Sequence, residues 1–80
     1  METIRMTGQI GPLLIRLRKE KGWSQVQLGE KLGLSQARIS VIEHYPEQMS
    51  VDQLFTVLMK LDAELQITPR SAGKHEGEAW

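Results

Sequence analysis

Cysteine is absent from this 80-residue chain, and histidine occurs only at His44 and His75. The first absence removes disulfides and thiolate metal sites. The second leaves little for metal or acid–base chemistry, because no Glu-x-x-His spacing, nucleophile elbow, paired-carboxylate arrangement or phosphate-binding glycine loop is present. The expectation is a protein that is not an enzyme, with no catalytic residues, no metal and no cofactor. Aromatic residues are scarce: Trp23, Tyr45, Phe55 and Trp80. No apolar run approaches the ~20 residues of a membrane span. No secretory leader pattern is visible either, so a cytoplasmic chain without a membrane partner is expected.

Net charge is also missing, since ten Lys and Arg face ten Asp and Glu. Its distribution is uneven. Residues 1–45 carry seven basic and four acidic side chains, and residues 46–80 carry three and six. A basic amino-terminal half beside an acidic remainder suits a working face for a polyanion. Eighty residues give one domain close to the lower size limit of a self-sufficient core, which oligomerisation would help.

The chain is organised around Ser24–His44. Ser24 and Gln27 stand at capping-box spacing, and Leu28 and Leu32 recur four apart on one helix face. Gly33 closes that helix. Ser35 caps the next, whose buried pair is Ile39 and Ile42. Helix, glycine turn, helix is the pattern of a DNA-binding helix-turn-helix. With Ile39 and Ile42 turned inward, Gln36, Ala37, Ser40 and Val41 face outward and Arg38 lies on the flank. Gln36 can pair with adenine N6 and N7, and the methyls of Ala37 and Val41 can meet thymine methyls. Ser24, Ser35 and Arg38 are expected to contact phosphates, the helix amino ends supplying free N–H groups.

Around this motif the reading is simpler. Residues 1–8 form an arm, either a short edge strand at Thr3–Met6 or a loose terminus. A first helix runs from Ile10 or Gly11 to Lys21, with Gly11 as its cap, Pro12 in its first turn, Ile10, Leu14 and Leu17 on the core side, and Gly22 at its end. Leu13 and Ile15 lie off that stripe. Trp23 precedes the Ser24 cap, where it suits a hydrophobic staple onto Gln27 or Leu28. Ser50, with Gln53 completing a second capping box, starts a fourth helix whose Leu54, Leu58 and Leu61 share a face. Val51, Val57 or Phe55 widen it, and both sides of the helix look apolar, one to close the core and the other to meet a second subunit. In residues 62–69 the period changes: Ala63, Leu65 and Ile67 alternate with polar residues until Pro69. A lone strand needs a partner, and its own copy in a twofold homodimer is the economical one. The alternatives there are a fifth helix or a frayed coil. Residues 70–80 read as a disordered polar tail, in which Trp80 is an anchor for a partner pocket.

Leu17, Arg18, Gly22, Ser24-Gln25, Leu28, Leu32-Gly33, Ser35, Ile39-Ser40 and Glu43 together resemble the XRE, or lambda-repressor-like, family of bacterial helix-turn-helix proteins. The likeness spans roughly Ile10 to Leu61. Within that family the chain looks most like the HipB antitoxins, on Gly22-Trp23 before Ser24-Gln25, the run LDAELQI and a tail ending in Trp80. The resemblance implies an all-α, four-helix domain over residues 9–61, with one short carboxy-terminal β-strand pairing across the dimer. It places Gln25 and His44 on phosphates and makes Arg18 and Glu43 an internal ion pair. Gly29 stands where the family usually has alanine. The implied activity is sequence-specific repression at a palindromic double-stranded operator, by the antitoxin of a HipA-like kinase toxin that represses its own operon and sits on the nucleoid when bound. Trp80 would then dock the toxin. A stand-alone phage-type repressor and a protein-binding adaptor are the other readings.

Overall fold

The computed structural model describes residues 2–70. Among these residues run four α-helices: α1 (Ile10–Glu20), α2 (Gln25–Leu32), α3 (Gln36–His44) and α4 (Val51–Lys60). Short 3-10 turns, Thr7–Gln9 and Pro46–Gln48, precede α1 and α4. No strand occurs among the described residues.

One residue or two from each helix meet at the centre. Leu14 of α1, Leu28 of α2, Ile39 and Ile42 of α3, and Val57 and Leu58 of α4 are buried together with Leu61. Ile10, Leu17, Trp23, Leu32, Leu34, Met49, Leu54 and Ala63 close around them. This is the i, i+3/i+4 stripe of each helix turned toward a common point. Leu13 and Ile15 end half-buried beside it.

Local chemistry sets the ends. The Ser24 hydroxyl accepts from the Gln27 amide, and the Gln27 side chain accepts from the Ser24 amide at 2.8 Å, a reciprocal cap. Ser35 and Ser50 accept from the Arg38 and Gln53 amides. Gly22 and Gly33 leave their helices in the left-handed conformation (φ 77° and 71°) that glycine adopts without a Cβ penalty. α4 ends differently. Asp62 takes the left-handed position (φ 57°), the Ala63 amide reaches back to the Leu58 carbonyl at 2.9 Å, and Lys21 pairs with Asp62, joining the ends of α1 and α4.

Three details differ from the reading of the sequence. Gly11 does not cap α1; Gln9 precedes the helix, and Gly11 is buried inside its first turn. A Cβ there would lie 2.1 Å from the Glu43 carbonyl oxygen, so this glycine serves the close crossing of α1 over α3. The side chain of Gln53 does not turn back to complete a capping box. It accepts instead from the Arg38 guanidinium at 2.7 Å. Residues 63–69 contain neither the strand nor a fifth helix, since a strand exists only where a neighbour takes its backbone bonds and the single chain supplies none. The alternating side chains are nonetheless uncovered: Leu65 is 49% and Ile67 87% exposed.

The arm is not a strand among the described residues either. Gln9 holds it, its side chain accepting from the amides of Arg5 and Met6 and donating to the Thr3 carbonyl. Glu2 pairs with Arg16. Trp80 and the tail from Ser71 onward lie outside the described residues.

Candidate nucleic-acid interface

α2 and α3 meet at a tight corner because Gly29 has no side chain. A Cβ at that position would stand 2.4 Å from the Leu34 carbonyl oxygen, while the Leu34 amide donates to the Gly29 carbonyl at 2.8 Å. The crossing brings the amino ends of the two helices side by side. Among the described residues, the amides of Gln25 and Val26 on α2, and of Gln36 and Ala37 on α3, have no internal acceptor. Such first-turn N–H groups, with the partial positive charge of the helix end, favour an anion.

The side chains on this surface divide into free and tethered. Gln36 and Ala37 are exposed; Ser40 and Val41 are half-buried on the next turn. Ser24 and Ser35 are exposed, although each hydroxyl is already accepting a capping bond. His44 is exposed, and its Nδ1 lies 2.8 Å from the Ser40 carbonyl oxygen, which turns Nε2 away from the helix. Arg38 is half-buried and donates to Gln53 and to the Gln48 carbonyl, so its guanidinium leans toward α4.

Behind this surface lies an ordered polar chain. Arg18 and Glu43 are 8% and 3% exposed, and they form a two-pronged pair with Nε–Oε2 at 2.6 Å and Nη2–Oε1 at 3.2 Å. Arg18 also donates to the Trp23 carbonyl at 2.9 Å. Gln25 donates to Glu43 Oε1 at 3.0 Å, and Gln36 donates to Gln25 Oε1 at 3.3 Å. The link from Gln25 to both Glu43 and Gln36, and the hold of Gln53 on Arg38, had no signal in residue spacing. Each joins side chains 11 to 18 positions apart. Trp23, on the other side of the α1–α2 corner, is half-buried against the core and carries the Lys31 ammonium 4.5 Å above its ring.

The helix-turn-helix domain family matches residues 1–69. This chain is a member of that family. Two curated relatives are the HipB antitoxins of Escherichia coli O6:H1 and of Escherichia coli K12, 30% and 29% identical over 59 residues. Those stretches cover 74% of this chain and 63% and 67% of the two antitoxins, so it matches about two thirds of the curated relatives' length. Among solved structures, a chain of a HipA-HipB-O2-O3 complex superposes with a TM-score of 0.78 at 26% identity. That match covers 88% of this chain and 99% of the other. A HipB-O4 20mer complex gives the same score, identity and coverage. The α2–α3 corner is therefore the helix-turn-helix of the family, and α3 is its second helix. No helix among the described residues is long and apolar enough to cross a membrane.

Proposed function

We propose that this helix-turn-helix protein is a dimeric, sequence-specific DNA-binding repressor, the antitoxin of a HipA-like kinase, and that it represses its own operon in the cytoplasm, on the nucleoid. The observation that carries the DNA reading is the placement of Gln36 and Ala37. They stand exposed at the amino end of α3, beside the amino end of α2, where free amides can hold a phosphate. Each subunit sets α3 in a major groove, and half-sites fall one helical turn (~34 Å) or a multiple apart. Gln36, Ala37, Ser40 and Val41 read base edges. Ser24, Gln25, Ser35, Arg38 and His44 hold phosphates and fix the register.

The partners follow from relatives and from uncovered surface. The HipB chains that resemble this one are solved in complexes with HipA and with O2, O3 and O4, which supports the toxin and the operator. Ala63, Leu65 and Ile67 pair with the same residues of a second copy, completing the strand that the single chain cannot form. Residues 1–8 act as an arm, 9–61 as the reading domain and 70–80 as the tail whose Trp80 docks the toxin.

Duplexes enriched from a random pool by the full chain give the operator, and a salt titration on it counts the phosphates neutralised. Gln36→Ala relaxes the choice of base at one position in each half-site and costs about 1–3 kcal/mol of binding. Unchanged operator affinity in that variant would remove α3 from the reading role.

A further inference from the structure

A neutral imidazole donates from one ring nitrogen and accepts at the other, and the bond made by one nitrogen settles the role of its partner. In His44 that bond is visible. Nδ1 lies 2.8 Å from the Ser40 carbonyl oxygen, four residues back along α3, and a carbonyl oxygen can only accept. The proton of the neutral ring therefore sits on Nδ1, and Nε2 carries a lone pair. The Ser40 hydroxyl lies 3.4 Å from the same Nδ1, and Nε2 has no hydrogen-bond partner among the described residues. His44 is exposed, and it follows Gln36 and Ser40 at i, i+4 and i+8 on the side of α3 away from the buried Ile39 and Ile42. A phosphate oxygen is also only an acceptor. It repels the Nε2 lone pair of the neutral ring, whereas the imidazolium offers it an N–H and a positive charge.

We propose that His44 holds an operator phosphate only as the imidazolium, so that each subunit takes up a proton as it seats on DNA and operator affinity rises as pH falls. The inference rests on the DNA reading above and gives one of its phosphate contacts a condition. The charged groups of the surrounding elements do not answer this proton. Arg18 of α1 and Glu43 of α3 hold each other, Arg38 donates to Gln53, and Lys31 of α2 covers Trp23. Glu30 of α2 and Glu47 of the 46–48 turn form no ion pair, Tyr45 is exposed beside the ring, and no carboxylate among the described residues is within ion-pair distance of His44. The anion that the imidazolium meets therefore comes from the nucleic acid. Because only the protonated ring makes the contact, acid favours the bound state and base the free one.

The test uses a duplex enriched from a random pool by the full chain at about pH 6, then titrated at about pH 6 and about pH 8, the range in which histidines change charge. Wild type, His44→Asn, His44→Lys and His75→Asn are compared over a series of salt concentrations. Thermal melts at both pH values check that each protein is folded. Wild type is expected to bind about tenfold more tightly at the lower pH, the size of a charge-assisted hydrogen bond. Its log–log salt slope should also steepen there by about 0.9 for each added phosphate, ~1.8 for two subunits. His44→Asn loses both differences. His44→Lys stays charged and binds at both pH values as wild type does at the lower one. His75→Asn, altered only in the tail, behaves as wild type. Calorimetry in two buffers of different ionisation heat should count up to one more proton taken up per subunit in wild type than in His44→Asn. A pH ratio that survives in His44→Asn, or is missing from wild type, overturns the inference and leaves the DNA reading standing. So does a pH ratio without a change of salt slope, since the proton would then meet something other than a phosphate. A wild-type chain that enriches no duplex overturns the DNA reading itself and this inference with it.

Discussion

Glu43 accepts bonds from Arg18 and Gln25 while 3% exposed, and its position under α1 is kept open by a glycine. Removing one partner of a buried ion pair strands the other charge away from water. Glu43→Ala is therefore expected to lose about 3–5 kcal/mol of folding stability, read from the shift in urea midpoint. The double variant Arg18→Met/Glu43→Leu should lose much less, because no unpaired charge is left behind. The residue identities of this pair stand in the chain for any reader, and the family likeness names them as partners. Their engagement of Gln25 does not follow from spacing, since amide direction depends on what three elements place around it.

Helices are the scale at which this chain is most legible. Ser24 with Gln27, Gly22 and Gly33 act locally, within four residues of the backbone groups they satisfy, and each does in the structure what its position suggests. Helix crossings are not local. Gly11 looks like a cap beside Pro12, yet it is the point where α1 passes the Glu43 carbonyl, 32 positions away in the chain. Gly11→Ala should consequently destabilise the fold by about 1–3 kcal/mol, although alanine is the better helix former. A thermal melt of the two proteins side by side checks the sign; a gain in stability would mean that α1 slides freely over α3. The same reasoning explains Gln53. Its spacing from Ser50 fits a capping box, but Arg38 arrives from α3 and offers a charged donor instead.

At the scale of the molecule, two neighbouring apolar stretches among the described residues stand in water. Val51, Phe55 and Met59 lie four apart along α4, exposed by 69%, 46% and 71%, and Leu65 and Ile67 follow on the extended segment. A small domain gains little by leaving such groups uncovered. In the proposed dimer, Ile67 sits on the pairing segment, and a charge there would be buried without a partner. Ile67→Lys should shift the protein from dimer to monomer in sedimentation velocity at micromolar concentration, with the helical circular dichroism of the domain retained. It should also weaken operator binding, since one half-site alone has to hold the protein. A variant that sediments as wild type would place the contact between copies elsewhere.

The order of the helices, the serine caps of α2, α3 and α4, the glycine turn and the outward face of α3 were determined by the amino-acid sequence, because each depends on apolar period and on bonds between near neighbours. The alternation at Ala63, Leu65 and Ile67 is equally plain in the chain, but a strand is a relation between two backbones and one sequence cannot supply the second. Tertiary structure alone decided that Gly11 was a crossing point, where Arg38 turned, and how Glu43, Gln25 and Gln36 line up behind the exposed end of α3. Those contacts join positions far apart in the chain, and their geometry exists only once the helices have packed.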